Sequence, residues 1–498
     1  MGTFVLCEPT VLRMSLQEKY ELVVGLEVHA QLQTRTKLFC GDDASFGGEP
    51  NTHISAITLA YPGTLPRLNR TAVEYAIRMG LACESEISRT NWFARKHYFY
   101  PDLPKGYQTS QHINNICQGG IVRINVSGNE RAVQLHHIHL EEDAGKSIHD
   151  ADPLKTAIDH NRAGVPLIEI VSEPDLFSAE EAYAYVTEVR KLVRFLGICD
   201  GNMEEGSMRC DANISVRPKG QKKLGTRVEV KNLNSIRNVK RAIDFEAARL
   251  MQMLEDGETI IQQTRSFDAD TGTTFALRSK EEANDYRYFP DPDLPPFIVS
   301  EEMLNSIRSE MPELPDAVRQ RFMEDYHLPE YDARLLSEEK EMVAYFEAVT
   351  SHNNQYKSIA NWLLGPVKAW LNEQQVQIEN FPLKSGNLSD LVNLVTSGEI
   401  SFSSASSRLF PRLIDNPDAD PKQMASELNL LQNADSGEIE AWIGQVLEKM
   451  PDKVAEYRKG KKGLIGLFMG EVKKISRGKA DPKIATVMLE KRLNEQNQ

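Results

Sequence analysis

The chain predicts a mixed α+β region over roughly its first 300 residues and an all-helical remainder. Three observations carry this. Two well-separated stretches alternate polar and apolar residues with the period of a strand: YELVVGLEVHAQL near residue 20 and MRCDANISVRP near residue 208. Capped amphipathic patterns stand between such strands. Beyond about residue 300 strand patterns almost vanish, and helical patterns follow one another across short polar or proline breaks.

Composition narrows the class. The chain has 498 residues, 41% of them hydrophobic, enough for large cores, and a net charge of −14. Its acidity argues against a protein that coats nucleic acid along its whole length. Charge is uneven: residues 451–498 hold twelve Lys/Arg against six Asp/Glu, a local +6, which leaves −20 on the rest. The six cysteines, Cys7, Cys40, Cys83, Cys117, Cys199 and Cys210, form no CxxC pair. Without a signal peptide or a long apolar run, they point to a reducing, cytoplasmic setting and no membrane. Residues 1–17 read as a loose leader, with Met14 an alternative start to Met1.

Taken in order, residues 20–32 predict a strand with Glu27, His29 and Gln31 on one face and Leu26, Val28 and Ala30 on the other. A Gly/Pro/Asn-rich connection leads to a helix near Thr71–Cys83. Residues 92–111 hold six aromatics and four Lys/Arg/His broken by prolines. Such a mix fits a substrate-facing loop, and equally aromatics buried beneath a loop. Residues 120–140 predict a hairpin turning at Ser127-Gly128-Asn129 and running into LHHIHLEEDAGKS. Neighbours on a strand face opposite ways, so His136, His137 and His139 read as ordinary strand surface. Asn161–Pro174 predicts a buried strand with Glu169 inside an apolar run. Ser178 and Glu181 predict a capping box opening a helix to Leu196.

Met203–Lys231 then predicts two neighbouring strands. Arg209, Asp211, Asn213 and Ser215 share one face of the first, and Arg227, Glu229 and Lys231 one face of the second. A solvated face of an antiparallel sheet and the floor of a metal–phosphate site fit these two strands equally well. A helix follows over Ser235–Leu254, then a hairpin at Asp270-Thr271-Gly272, and DYRYFPDPDLPP (Asp285–Pro296) closes the region. Helices are expected at Glu338–Thr350, Ile359–Asn372, Leu388–Ser397, Glu438–Met450, Leu464–Ser476 and Pro482–Asn494.

Nucleotide-loop motifs fail. Asp143-Ala144-Gly145-Lys146-Ser147 ends like a P-loop, but Leu140 occupies the position of its first glycine. Metal chemistry fares better: Glu27, His29, Glu141, Glu142, Asp143, Glu169, Asp211 and Glu229 all fall on or beside predicted strands. A carboxylate in an apolar strand is costly to bury unless paired or metal-bound, and oxygen ligands with one imidazole suit Mg²⁺ or Mn²⁺. Asp268, Asp270, Gly272 and Thr274 resemble the start of a calcium loop, but Ser279 stands where its closing Glu belongs, so a hairpin turn is expected. Ser403–Ser407 lacks the setting of a serine amidase and reads as a helix-capping loop. In the tail, Lys459, Lys461 and Lys462 precede a Gly-spaced apolar helix, and Lys473, Lys474, Arg477 and Lys479 follow it. A solvated face and a contact with RNA phosphates are both open.

In this order, GLEVHAQL, RKHYFYPDLPKGYQTSQ, HLEEDAGKS, NRAGVPLIEIVSEPD, MEEGSMRCDANISVRP, VEVKNLNS and DYRYFPDPDLPP resemble the B subunits of aspartyl/glutamyl-tRNA amidotransferases. The resemblance runs from about residue 18 nearly to the end. It implies a cradle domain like those of glutamine synthetase and the guanidino kinases over 18–300, a helical domain over 301–405, and a YqeY-like tail over 406–498 that touches tRNA. It further implies ATP-dependent phosphorylation of the side-chain carboxylate of Glu-tRNA(Gln) or Asp-tRNA(Asn). Amidation would follow, with ammonia from a partner A chain, an amidase, in a trimer braced by a small C chain.

By the same resemblance, Glu27, His29, Glu142 and Glu169 would be metal residues, and Lys96, Glu142, Asp211 and Glu229 catalytic. Lys146, Arg209 and Lys231 would face ATP with its Mg²⁺. Some members carry a four-cysteine zinc knuckle. Here only Cys40 remains, with Asp42, Ser55 and Thr58 at the other positions, so no structural zinc is expected. The alternatives are a non-catalytic tRNA-binding scaffold and a self-contained ligase using free ammonia.

Overall fold

A computed structural model describes residues 15–152, 154–279, 286–431, 436–476 and 480–494. The expected leader up to Met14, Cys7, Asp285, Arg477 and Lys479 lie outside them. The chain divides into two compact units, Met1–Leu314 and Pro315–Gln498.

The first unit is built on one large sheet. Its strands are β1 (Tyr20–Gln31), β2 (Ala94–His97), β3 (Tyr107–Ser110), β4 (Ile121–Val126) and β5 (Asn129–Glu142). A separate ribbon, β6 (Lys146–Asp152) and β7 (Lys155–Asp159), follows. The sheet resumes with β8 (Pro166–Ser172), β9 (Met208–Pro218), β10 (Val228–Leu233), β11 (Gln263–Asp268), β12 (Thr273–Ser279) and β13 (Phe289–Pro290). The order across the sheet is β12-β11-β10-β9-β1-β8-β5-β3-β2-β13, with β4 paired to β5. Neighbours are antiparallel except β10 and β11, which run parallel across a helical crossover.

Three helices line the apolar face: α1 (Arg70–Ala82), α2 (Ala179–Phe195) and α3 (Ile236–Glu255). Each starts at a side-chain cap: Asn69 accepts from Thr71 and Ala72, Ser178 from Glu181, and Ser235 from Asn238. The expected capping box is half made, because the Glu181 carboxylate instead accepts the N–H of Phe177 and pairs with Arg131. Strand parity divides the sheet. Val24, Leu26, Val28 and Ala30 of β1 are fully buried with Ile138 and Leu140 of β5 and Cys210, Ala212 and Ile214 of β9. The helix Glu301–Ser309 adds Leu304 and Ile307 to this core. The unit therefore ends beyond the change of pattern near residue 300.

The expected hairpins form. Ser127 and Gly128 take positive φ between β4 and β5. The supposed calcium loop is the β11–β12 turn, where Asp268 caps the N–H groups of Asp270 and Thr271. The P-loop-like segment is a strap: the Gly145 N–H donates to the Asp102 carbonyl at 2.8 Å, and Arg162 donates to the carbonyls of Ala144 and Gly145. A side chain at Gly145 would meet backbone oxygens at 2.8 and 2.9 Å, so packing explains the glycine.

The second unit is helical in its described residues, as the pattern predicts. Helices cover Lys340–Thr350, Ser385–Thr396, Ser436–Lys449, Ile465–Ile475 and Pro482–Asn494. The expected Ile359–Asn372 helix is a run from Tyr356 to Gln374 with a wide turn at Leu363–Val367, where Pro366 lacks an N–H to donate. Ser403–Ser407 is itself helical rather than a capping loop; the cap is Ser401, which accepts from Ser404. Ile439, Ile443, Val446, Tyr457, Phe468, Val472, Ala485 and Leu489 form a small core of their own near the C-terminus. No helix among the described residues is long and apolar enough to cross a membrane.

One polar group sits at the centre of the α3–sheet contact. Glu246 is fully buried; it accepts from Arg249 at 2.7 Å and from the Thr274 hydroxyl of β12, and pairs with Arg265 of β11 at 2.9 Å. Glu246→Ala strands two guanidinium groups. It is expected to cost about 3–5 kcal/mol in denaturant unfolding of the first unit, against under about 1 kcal/mol for the exposed pair Arg70–Glu74.

Candidate functional site

The polar face of the sheet lines a cavity of about 620 Å³. Residues directly opposite one another in an antiparallel pair share a face, so the register assembles the site. His29 of β1 faces Glu169 of β8, which faces His139 of β5; on the other side Glu27 faces Asp211 of β9. Asn213 of β9 faces Glu229 of β10.

Two acidic clusters result. In the first, His29 Nε2 lies 3.5 Å from Glu169 and 3.8 Å from Glu141, and His139 Nε2 lies 3.4 and 3.5 Å from the same two carboxylates. Burial opposes protonation of His29, but Glu169 and Glu141 outweigh it and raise its pKa to about 9. Burial likewise disfavours charge on Glu169, yet His29 and His139 hold its carboxyl well below the usual range. The second cluster is Glu27, Asp211 and Glu229. Lys231 Nζ donates to Asp211 at 2.6 Å and pairs with Glu229 at 2.9 Å. Glu27 accepts from Asn213 at 2.8 Å, and Glu229 from the Thr264 hydroxyl at 2.9 Å. Burial, then the negative field of Glu169, raises the Glu27 pKa.

In each of the sets His29/Glu141/Glu169 and Glu27/Asp211/Glu229, one ligand atom per residue falls within 4.8 Å of the others. Carboxylate oxygens with one imidazole form a hard donor set, which fits Mg²⁺ or Mn²⁺. The cations of the cavity are differently engaged. Arg209 donates to Asp143 at 2.8 Å, and Gln31 donates to the same oxygen. Lys96 of β2 forms no ion pair among the described residues. Its Nζ lies over the rings of Tyr286 and Tyr98, 5.1 and 5.9 Å from their centroids.

Of the residues expected from sequence, Glu27, His29, Lys96, Glu169, Arg209, Asp211, Glu229 and Lys231 line this one cavity. Glu142 and Lys146 do not. Parity on β5 sends Glu141 into the cavity and Glu142 to the other face. There Glu142 pairs with Lys105, accepts the Thr109 N–H at 2.8 Å and lines a second cavity of about 140 Å³. Lys146 is exposed on the β6–β7 ribbon. His139 corrects the reading of the histidine triple: it is buried inside the site, two residues from Glu141 on the same face, and its Nδ1 meets His137 Nε2 at 3.0 Å. Counting parity back from Glu141 would have found it. The alternation that placed Asp211 on the polar face placed the support Asn213 there too, whereas nothing local in the sequence marks Thr264.

The buried thiols pack in the apolar core, away from the polar face of the sheet. Burial pushes Cys83 and Cys199 up to about 12 and raises Cys117 and Cys210 as well.

Residues 22–305 match the family model described as GatB/GatE catalytic domain, and residues 344–493 one described as GatB domain. The B subunit of the aspartyl/glutamyl-tRNA(Asn/Gln) amidotransferase of Geobacter sp. (strain M21) is 48% identical over 95% of this chain and 99% of its own. Proteins of the same name from Thermodesulfovibrio yellowstonii and Chlorobium luteolum are 46% and 48% identical, over 96% and 95% of this chain and 100% and 99% of theirs.

The geometry separates the two adjacent glutamates by experiment. Titrating Mn²⁺ by electron paramagnetic resonance, Glu141→Gln is expected to weaken ion binding by at least about 10-fold, and Glu142→Gln by less than about 2-fold. The reverse order would place the ion at the second cavity.

Proposed function

The chain belongs to the family of aspartyl/glutamyl-tRNA(Asn/Gln) amidotransferase B subunits, and we infer from this that its carboxylate-lined cavity activates a side-chain carboxylate with ATP for amidation. One observation carries the reading: two hard-donor clusters share one sheet face with a lysine, Lys96, that pairs with no carboxylate among the described residues.

His29, Glu141 and Glu169 would hold one Mg²⁺, and Glu27, Asp211 and Glu229 a second. Glu141 takes the part that resemblance gave to Glu142. Bound there, Mg²⁺ would offset the charge of the γ-phosphoryl group. Arg209 and Lys231 face the same space and would attract phosphate oxygens. The nucleoside has room beside the second cluster. A pocket of about 200 Å³ lies over Gly25, walled by Val23, Val171, Pro174 and Leu224, and shares Glu27 with the main cavity. Gly25 leaves that floor open.

The substrate carboxylate would meet the Lys96 ammonium from the β2 side. A carboxylate oxygen attacks the γ-phosphorus and ADP departs. Ammonia then attacks the acyl carbon, the C–O bond to phosphate breaks, and the nitrogen loses a proton to give Gln-tRNA(Gln) or Asn-tRNA(Asn). The ammonia would come from glutamine hydrolysed by a partner amidase, the A chain, with a small C chain completing the assembly. A sheet that holds ATP by metal-bearing strands fits a cradle of the glutamine synthetase and guanidino kinase type. The basic residues around Ile465–Ile475 would contact the tRNA backbone.

In the assembled enzyme, Lys96→Met is expected to lower ATP-dependent amide formation on misacylated tRNA by about 10²- to 10³-fold while glutamine hydrolysis persists. Equal loss of both would mark Lys96 as structural. Structural zinc is not part of this reading. Among the described residues no cysteine pairs with Cys40, whose Sγ lies 3.5 Å from the Thr58 hydroxyl, which itself donates to Asp42. Elemental analysis should find far less than one zinc per chain; one equivalent lost on Cys40→Ser would overturn this.

A further inference from the structure

A row of aromatic rings leaves the cavity on the Lys96 side. Tyr98 and Tyr286 line the cavity itself. Outward from Tyr98, the Tyr100 ring lies edge-on at 5.8 Å; from Tyr286, the row continues to Tyr288 at 6.2 Å and then to His112, stacked on Tyr288 at 3.9 Å. Tyr98 and Tyr286 meet edge to face at 6.0 Å above Lys96. The outer rings are open: Phe99 is 87% exposed and Tyr100 54%.

The loop that carries these two rings is held in shape. The Leu103 N–H donates to the Tyr100 carbonyl and the Gly106 N–H to the Leu103 carbonyl, each at 3.0 Å, and Leu103 is buried beneath them. Gly106 has φ +68°, and a side chain there would press on the Phe99 ring at 3.4 Å. Two exposed aromatics on a pinned loop, beside a cavity lysine, form a preformed platform rather than an unfilled core.

We propose that Tyr100 and Phe99 form a stacking ledge for the base of the 3′-terminal nucleotide of the aminoacylated tRNA. This rests on the function proposed above. A carboxylate held at Lys96 is joined through its amino acid and ester to the terminal ribose, so the attached base must lie within about one nucleotide's reach of that lysine. The opposite acidic cluster, with its pocket over Gly25, takes the ATP end. The aromatic rim on the β2 side is therefore free for the other substrate. Flat rings accept any base face, which suits an enzyme that needs the end of the acceptor rather than its sequence.

The test uses the assembled enzyme with Tyr100→Ala, Phe99→Ala, the double variant and the ring-preserving Tyr100→Phe. Loss of stacking should raise KM for misacylated tRNA by about 5- to 100-fold. kcat at saturation, KM for ATP and glutamine hydrolysis should stay near wild type, as should Tyr100→Phe throughout. A chemically assembled substrate whose terminal nucleotide lacks its base should raise KM equally in the wild-type enzyme, and add nothing in the double variant.

The proposal is overturned by a rise in KM for ATP instead, by additive effects of the missing base and the missing rings, or by dissociation of the assembly on gel filtration, which would make the ledge a protein interface. If the wild-type enzyme forms no phosphorylated intermediate, the proposed function fails. If it does and the variants keep their tRNA KM, only the ledge fails.

Discussion

Five carboxylates, Glu27, Glu141, Glu169, Asp211 and Glu229, crowd one face of a sheet, and their mutual repulsion is the constraint the rest of the site answers. Unpaired, such groups would bind protons rather than stay ionised together. The fold interleaves cations instead. His29 and His139 bracket Glu169, Lys231 bridges Asp211 and Glu229, and Arg209 neutralises the neighbouring Asp143. Against the cost of burial, the histidines hold Glu169 and Lys231 holds Glu229 below the usual carboxylate range, while burial raises Glu27, whose hydrogen-bond donor is a neutral amide.

Holding such charges in register needs a stiff frame, and the apolar face supplies it. Strands β1, β8, β5 and β9 pack Val, Leu, Ile and Cys side chains against α2 and α3 with almost no exposed surface. Where β10 meets β11 in parallel, the polar links take over: Glu246 of α3 fixes Arg265, and the adjacent Thr264 donates to Glu229. A buried ion cluster on the helix side thus sets the place of a carboxylate on the solvent side. The P-loop-like strap has the complementary duty, holding β6 and the turn after β5 while Arg162 ties its carbonyls down.

Much of this is legible in the sequence. Strict alternation around Glu27, Arg209 and Glu229 settles which residues share a face, because the period of a strand is two and one face had to be buried. Ser178, Ser235 and the hairpin turns mark element ends through local hydrogen bonds, and the loss of alternation after residue 300 separates the helical unit. Eight of the residues named from motifs line one cavity because each lies on a strand of the one sheet and on its polar face.

The residues that the structure places differently share a cause. HLEED offers two adjacent glutamates, and only the pairing of β5 with β8, Glu141 opposite Leu167 and Glu142 opposite Pro166, decides which of them faces the cavity. The same parity draws His139 in. Lys146 follows a motif that looks nucleotide-like, yet the chain leaves the sheet at that point. The sequence by itself determined the composition of each strand face, the caps and the family, all of which depend on neighbours within a few residues. Only the tertiary structure decided strand order and register, and through them which charges meet across the sheet, which lysine is left to the aromatic rings, and which aromatics remain open at the rim. Those are contacts between residues far apart in sequence, and no local period encodes them.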